Sequence, residues 1–386
     1  MSRMNRSSDD DVLGLVASRQ ATTRAALARQ TGLAPSTITG IVNRLLLNGL
    51  LEEGGDTAST GGRPGSILLP ANSRERALVV ELGAHRARFG LADRGGRVSH
   101  VNRFDIDIAE GPTTILRTLV ERGEELAERS GTEISGYGIA LPGPVDPQTG
   151  TVVGPSRMPG WNGCTVPEAM REWSELPVVV ENDARIGASG ESAYRRATSG
   201  APSALGDYIY VKAGSGIGGA FVENGAPRRG AHGLAGDVTH VPVPAGGDRP
   251  CQCGNTGCLD TIASAESIRR ELRAQGLALP SNDALIETAL DGSAQVVTMI
   301  RSAGVNLGIA LSHTVSFLAP DAVIIGGTLS AVDAFVGGVR QSLHERCLQS
   351  VMEHTAVEKS LAGTDSALWG LAEATSVFLN ARGAHA

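Results

Sequence analysis

The chain has 386 residues, of which 41% are hydrophobic and 3% aromatic, and its formal net charge is −7. This length allows two or three domains with separate cores, and no apolar run approaches the length of a membrane span, so no membrane span is expected. Residues 1–76 carry nine arginines and seven acidic residues, which leaves the acidic charge on the remainder. Any contact with nucleic acid is therefore expected from the N-terminal part. Because no secretory signal is recognised, a cytoplasmic protein with reduced thiols is expected.

The N-terminal part predicts three helices in a helix-turn-helix order. Periodic apolar residues indicate helices at 11–18 and 23–30, a turn at Gly32, and a third helix from Pro35 to about residue 48. The apolar positions of the third helix face a core. The positions left facing outward are small or polar: Ser36, Thr37, Thr39, Gly40, Asn43 and Arg44. Such side chains suit a helix that lies in the major groove of DNA.

A glycine-rich stretch at 52–65 and a strand-like segment at 66–69 follow the third helix. Two short strands around such a loop would form a wing beside the helix-turn-helix. Arg63, between a glycine and a proline, suits insertion into a narrow minor groove. The alternative is a generic three-helix bundle with a flexible linker, which the order of helix, turn, helix and wing disfavours. We expect a DNA-binding domain at residues 1–74.

The remainder, residues 75–386, alternates strands and helices as an α/β protein does. Strands are predicted at 77–80, 88–93, 98–105, 136–141, 177–180, 208–211, 220–222 and 322–325. Helices are predicted at 113–130, 184–197, 263–272, 283–290, 294–317 and 367–379.

Four possible metal ligands lie within nineteen residues: His240, Cys251, Cys253 and Cys258. One histidine with three cysteines is a usual ligand set for structural zinc, and the glycines at 254 and 257 let the backbone curl around one centre. Disulfides are the alternative, but Cys251 and Cys253 are too close in sequence to bridge comfortably. The spacing predicts one structural zinc ion per chain.

The run from Gly230 to His240, followed by Cys251-x-Cys253-Gly-x-x-Gly-Cys258-x-Asp260, resembles the signature of the ROK family, which groups sugar-responsive repressors and sugar kinases. The resemblance extends from about Ala77 to the C-terminus. It implies a two-lobed ribonuclease-H-like or actin-like sugar kinase fold, with lobes at 75–197 and 198–366. A C-terminal helix in 367–386 is expected to pack back on the first lobe.

The N-terminal residues resemble the winged helix-turn-helix that only the repressor branch of the family carries. In the kinases of the family the first phosphate loop reads Asp-x-Gly-Gly-Thr. Here Glu81, Gly83, Ala84 and His85 stand at the matching positions, and these changes should together spoil productive ATP binding. The alternative is that these residues are only a hairpin corner. A second glycine-rich loop at 214–219 matches the family pattern.

The resemblance also implies a set of sugar contacts: Gly143, Asn182, Asp183, Asp237, His240 and Asp260. Asp183 matches the aspartate that is the general base in the family's kinases, and Asn182 matches the asparagine that holds the sugar there. The alternative is that Asn182 and Asp183 cap the following helix. Asp237 and Asp260 replace the family's usual glutamates, so each reaches less far.

The favoured interpretation is a transcriptional repressor of carbohydrate-utilisation genes that a sugar effector releases from palindromic operator DNA. A homodimer or a dimer of dimers would place two recognition helices one helical turn apart. The rival is an ATP-dependent sugar kinase with an accessory DNA-binding domain, and the altered residues at Glu81, Ala84 and His85 disfavour it. A zinc-bearing scaffold without a ligand is a third hypothesis, which the presence of Asp183 and His240 disfavours.

Overall fold

The structure, a computed structural model, describes residues 2–17, 20–47, 50–56, 66–70, 75–199, 205–231 and 233–383. Three helices and a two-stranded sheet form the N-terminal unit. Its elements are α1 (Ser2–Ala17), α2 (Arg24–Thr31), α3 (Pro35–Leu47), β1 (Leu51–Asp56) and β2 (Ser66–Pro70).

Local interactions fix the helix-turn-helix. Thr23 caps α2 by accepting a hydrogen bond from the N–H of Ala26, and Gly32 ends that helix with a left-handed φ of 71°. Strands β1 and β2 pair antiparallel, and the N–H of Leu68 in β2 donates to the carbonyl of Thr22. The Leu68 side chain is buried in the same apolar cluster as the helices, so the wing strands share the core of the helical unit.

Helix α1 is longer than its apolar pattern predicted, because it begins at Ser2 rather than at residue 11. The polar first half carries Asp9, which accepts two hydrogen bonds from the guanidinium of Arg44 in α3. An ion pair therefore ties the middle of α1 to α3, which apolar periodicity could not reveal.

The first lobe is built around a five-stranded sheet of order β5-β4-β3-β6-β9. Strands β5, β4 and β3 are antiparallel, whereas β3, β6 and β9 are parallel. Its elements are β3 (Glu75–Leu82), β4 (Arg86–Ala92), β5 (Val98–Asp105), α4 (Pro112–Ser130), β6 (Glu133–Leu141), β7 (Val145–Asp146), β8 (Thr151–Val152), α5 (Val166–Met170) and β9 (Val178–Asn182). The parallel strands end at one edge, where open α/β sheets bind ligands.

The second lobe repeats this topology, with the order β12-β11-β10-β13-β14. Strands β12, β11 and β10 are antiparallel, and β10, β13 and β14 are parallel. The strands are β10 (Tyr208–Ala213), β11 (Ile217–Glu223), β12 (Ala226–Pro227), β13 (Ala322–Gly326) and β14 (Ala356–Lys359). The duplication confirms the predicted α/β fold of two related lobes after a winged helix-turn-helix.

Helices cover the second sheet and join the lobes. They are α6 (Asp183–Ser199), α7 (Asp260–Ala263), α8 (Ala265–Ala274), α9 (Asn282–Leu290), α10 (Ala294–Leu318), α11 (Asp333–Arg346), α12 (Gln349–Met352) and α13 (Ser366–Gly383). By length and composition α10 could cross a membrane, but half of its apolar window is buried in the lobe, as is usual for a core helix.

Helices α6 and α13 cross with their backbones in direct contact. A Cβ on Gly190 would lie 1.7 Å from the carbonyl oxygen of Ser366, and one on Gly370 would lie 2.0 Å from that of Ile186. Helix α13 also packs on strands β3 and β6 of the first sheet. Only glycine at both positions permits so close a crossing.

Candidate functional site

The four predicted metal ligands converge on one point of the second lobe. The ligand atoms of His240, Cys251, Cys253 and Cys258 all lie within 4.8 Å of one another. The Cys251 Sγ lies 3.5 Å from the His240 Nδ1, and the sulfurs of Cys253 and Cys258 are 3.7 Å apart. Neighbouring ligand atoms around tetrahedral zinc lie about 3.5–3.8 Å apart, given its usual bond lengths. The cluster can therefore hold a metal ion, and its cysteines are free thiols rather than disulfides.

The backbone of the metal loop is shaped by close turns. Gly254 and Gly257 have φ values of 94° and 70°, in the left-handed region that favours glycine. The N–H of Cys251 donates to the carbonyl of Asn255, and that of Gly257 donates to Arg249. The loop thus leads directly from the metal ligands into α7, which begins at Asp260.

Asp260 is buried beside the metal loop and is held by two kinds of donor. The N–H of Ile217 donates to its Oδ1 at 3.1 Å, and an Arg157 nitrogen lies 3.1 Å from its Oδ2. Arg157 also contacts Glu266 at 3.0 Å and donates to the carbonyl of Ser215. Burial raises the pKa of Asp260, and the charge of Arg157 opposes the rise. No sequence pattern singled out Arg157.

A cavity of about 1060 Å³ opens beside this cluster. Its walls include His240 and Asp260 from the predicted sugar contacts, together with Arg157 and Cys251. Asp237, by contrast, lies at the surface, where its carboxylate accepts the N–H of Thr239 at 2.8 Å. The cavity is large enough for a small-molecule ligand.

The other predicted sugar contacts meet where β9 passes into α6. The Asn182 side-chain amide donates to the carbonyl of Gly143 at 3.1 Å and to Asp183 at 3.3 Å. The Oδ1 of Asp183 accepts the N–H of Ala184, and the Oδ1 of Asn182 accepts the N–H of Arg185 at 3.1 Å. These bonds satisfy the first N–H groups of α6, so both residues do cap the helix, while Asn182 also fixes the loop after β6.

A residue that the sequence analysis did not select, Lys212 at the end of β10, completes this group. Its Nζ lies 2.5 Å from the Oδ2 of Asp183 and 2.5 Å from the Oε1 of Glu81 at the end of β3. Burial alone would lower the pKa of Lys212, but the two carboxylates outweigh this effect and raise it. Burial raises the pKa of Asp183, and Lys212 opposes that rise. The only available signal was rarity, since the chain has two lysines against thirty-two arginines.

The turn between β3 and β4 carries the altered phosphate-loop residues. The N–H of Gly83 donates to the carbonyl of Arg86 at 2.8 Å, so the turn closes on itself as a hairpin corner. Carbonyl groups of Ala84 and His85 accept from residues that follow β5. Arg86 reaches the second lobe, where its guanidinium lies 2.7 Å from the carboxylate of Asp283 at the start of α9.

The predicted DNA face of α3 is exposed along its length. Its exposed residues are Ser36, Thr37, Thr39, Gly40, Asn43 and Arg44. Arg44 forms its two hydrogen bonds with Asp9, and Asn43 accepts a hydrogen bond at 3.3 Å from Arg24, which also pairs with Glu53. Arg63, predicted at the tip of the wing, lies outside the described residues.

Comparisons with known proteins agree with this architecture. The ROK family profile matches residues 77–375. A putative xylose repressor of Caldicellulosiruptor sp. (strain Rt8B.4) is 28% identical over 367 residues, which cover 90% of each chain. A glucokinase of Halalkalibacterium halodurans is 30% identical over 257 residues, covering 63% of this chain and 76% of the glucokinase.

A solved structure shares the fold of the whole chain. The crystal structure of a ROK family transcriptional regulator, a homolog of the MLC protein of E. coli, aligns with a TM-score of 0.75 at 23% identity. The alignment covers 97% of this chain and 98% of that one. The chain belongs to the ROK family.

Proposed function

We propose that this chain is a sugar-responsive transcriptional repressor. Residues 1–74 would bind operator DNA, and the two-lobed body from residue 75 onward would bind a sugar effector. The observation that carries the proposal is the exposed polar face of α3, presented by a helix-turn-helix whose core also holds the wing strands. A relative that is named a xylose repressor matches along 90% of the chain, whereas the glucokinase match covers 63%.

The sugar site is proposed between the carboxyl edge of the first sheet and the metal loop. Asn182 and Asp183 supply an amide and a carboxylate, which suit sugar hydroxyls because these both donate and accept hydrogen bonds. His240 and Asp260 line the cavity on the second lobe. Gly143, held by Asn182, is proposed as a backbone contact, and Asp237 as a contact that would have to approach from the surface.

The metal is proposed to be one structural zinc ion per chain. His240 would ligate it through one ring nitrogen, and its other nitrogen would remain for a sugar hydroxyl. The nitrogen nearest to a cysteine sulfur is Nδ1, so Nε2 is the one that would face the ligand. Zinc would thus fix the loop that carries Asp260 as well as His240.

The rival function, a sugar kinase, is disfavoured by chemistry at Asp183. A general base must take a proton from the sugar hydroxyl, but the Asp183 carboxylate already faces the ammonium of Lys212 at 2.5 Å. The Oδ2 atom contacts that ammonium and the Oδ1 atom accepts the N–H of Ala184, so both carboxylate oxygens already face a donor, although burial raises the pKa of the carboxyl. The proposal therefore assigns no enzymatic activity to this chain, and Asp183 acts as a hydrogen-bond acceptor.

Regulation would follow from different affinities of the sugar for two arrangements of the lobes. If the sugar binds better to the arrangement that holds the recognition helices out of register, it lowers DNA affinity. We propose a cytoplasmic homodimer or dimer of dimers on a palindromic operator, with no membrane contact.

The experiment uses the full-length protein and an operator selected from a random duplex library. Binding is measured by fluorescence anisotropy while neutral sugars and amino sugars are added, with D-xylose first. Sugar alone should release the DNA, without ATP. A chain that lacks residues 1–75 should not bind the operator. Mg²⁺-dependent phosphorylation of a sugar that also causes release would instead establish the kinase.

The face of α3 is tested with Arg44. Replacing it with alanine should weaken operator binding and reduce the slope of log K against log salt by about one, as loss of one phosphate contact does. Asp9→Asn should have the opposite effect, because it frees the Arg44 guanidinium for phosphate. Arg117→Ala, an exposed change on α4 of the body, is the matched control. Equal affinities for all three variants and the wild type would contradict the assignment of α3.

A further inference from the structure

Three charged groups from three separate elements meet at the junction of the two lobes. Lys212 comes from β10 of the second sheet, Glu81 from β3 of the first sheet, and Asp183 from the first position of α6. Glu81 Oε1 and Asp183 Oδ2 each lie 2.5 Å from the same Nζ. One ammonium is therefore shared between two buried acidic side chains.

This arrangement differs from an ordinary ion pair because two carboxylates share one counter-ion. Loss of the ammonium would leave both acids without a counter-charge, whereas loss of one acid would leave the ammonium with the other. The oxygens of the two acids are at most about 5 Å apart, since both lie within contact distance of one nitrogen. Without the ammonium, two buried negative charges would repel each other in a medium that screens poorly. Converging carboxylate oxygens are also the ligands that hard divalent cations prefer.

We propose that Lys212 is the positioning residue of this junction, an internal counter-ion that fills the place to which the two carboxylates would otherwise draw a divalent cation. Because the ammonium is attached to β10, it cannot leave the junction with a ligand, as a free Mg²⁺ can. It orients Asp183 as an acceptor and links an acid of the first lobe to a strand of the second.

The proposal can be tested without knowing the effector or the operator. The measurement is the thermal midpoint, Tm, of the full-length zinc-loaded protein, with and without millimolar magnesium chloride, at ionic strength matched with sodium chloride. Magnesium is chosen because it prefers oxygen ligands and does not compete for thiolates. The variants are Lys212→Met, which removes the cation, and the double variant Lys212→Met with Glu81→Gln, which also removes one acid.

Lys212→Met alone should lower Tm by on the order of 10 °C, as breaking a buried charge contact does in a chain of this size. Magnesium should return part of that loss in this variant and should leave the wild type unchanged. The double variant should regain part of the Tm without magnesium and should not respond to it. A purely structural lysine would show neither the rescue by Glu81→Gln nor the response to magnesium.

Three results would overturn the proposal. They are a wild type that magnesium stabilises as strongly as the variant, a Lys212→Met protein that magnesium does not stabilise, and a double variant no more stable than Lys212→Met. If Lys212→Met is insoluble, the double variant decides, because restored soluble expression supports the counter-ion role and continued insolubility contradicts it. Failure here would leave the repressor proposal intact, since that depends on release from DNA by sugar.

Discussion

The metal loop and the Lys212 cluster are two charged centres built in opposite ways. All four ligands of the metal loop come from nineteen consecutive residues, and turns within that segment bring them together. The Lys212 cluster takes one residue from each of three elements that are far apart in the chain. The first centre can form wherever its own loop folds, whereas the second exists only when both lobes are in place. The metal loop is thus a local feature, and the Lys212 cluster reports the arrangement of the whole body.

Removing the metal should have the largest effect. Cys253→Ser, or treatment with a chelator, should release zinc and lower the free energy of unfolding by several kcal/mol, because a structural metal contributes directly to folding. Metal content by plasma emission and thermal unfolding would measure this. Cys347→Ser is the control, since Cys347 lies outside the ligand cluster and its Sγ donates a hydrogen bond to the carbonyl of Ser312. Wild-type protein without zinc after purification under reducing conditions would contradict the prediction.

A substitution in the Lys212 cluster should have a smaller effect than loss of the metal, and the effect should appear in the affinity for the ligand. Asp183→Asn removes a charged acceptor worth roughly 1.5–3 kcal/mol and should weaken sugar binding about ten- to a hundredfold. Calorimetry with the sugar that releases the operator measures the effect. Asp291→Asn, an exposed change at the end of α9, should leave the affinity unchanged. Unaltered sugar affinity in Asp183→Asn would place the effector elsewhere.

The smallest effect is expected from a solvated charge contact between the lobes, that of Arg86 with Asp283. Arg86 and Asp283 are both more than a third exposed, so water screens their attraction. Arg86→Ala should therefore change the free energy of unfolding by less than about 1 kcal/mol. Urea unfolding of Arg86→Ala and of Lys212→Met gives the two free energies of unfolding. Their difference compares the loss of a solvated charge contact with the loss of a buried one. A loss as large as that of Lys212→Met would mean that both contacts hold the lobes together.

Much of this architecture was readable from the sequence because its signals are local. Helix α3 is predicted from Pro35 to about residue 48 and runs from Pro35 to Leu47, since its apolar stripe is regular. The metal loop was equally clear, because the types of the four residues and their spacing both narrow the kinds of site that such a segment can form. Both patterns involve residues that are close together in the sequence. They could therefore identify single helices and strands and a possible metal site.

The sequence analysis predicted neither helix α11 nor strand β14, and for α11 the reason is physical. Gly337 and Gly338 interrupt the pattern of α11 and would ordinarily weaken a helix. The structure shows why one of them is there, since a Cβ on Gly338 would lie 2.4 Å from the carbonyl oxygen of Arg301 in α10. The close packing of α11 on α10 outweighs the low helix propensity of glycine at this position. The glycine-rich stretch at 214–219 was also read as one loop, whereas β11 begins at Ile217.

The contacts of Lys212, Arg157 and Arg86 could not have been read from the sequence, because each depends on a fold that brings distant segments together. The chain has two lysines against thirty-two arginines, and the structure supplies a reason for lysine at position 212. A compact ammonium can lie between two carboxylates, whereas the planar guanidinium of arginine has a fixed fork of donors.

The crossing of α6 and α13 at Gly190 and Gly370 determines how an event at Asp183 can spread. Two helices in backbone contact cannot slide past each other without collision, so we expect α6 and α13 to move together as one rigid unit. Helix α6 begins at the proposed sugar contact, and α13 lies against β3 and β6 of the first sheet. A tilt of α6 would therefore carry the C-terminal helix with it. We therefore expect the eighteen residues of α13 to take part in the response to the effector together with the proposed sugar site.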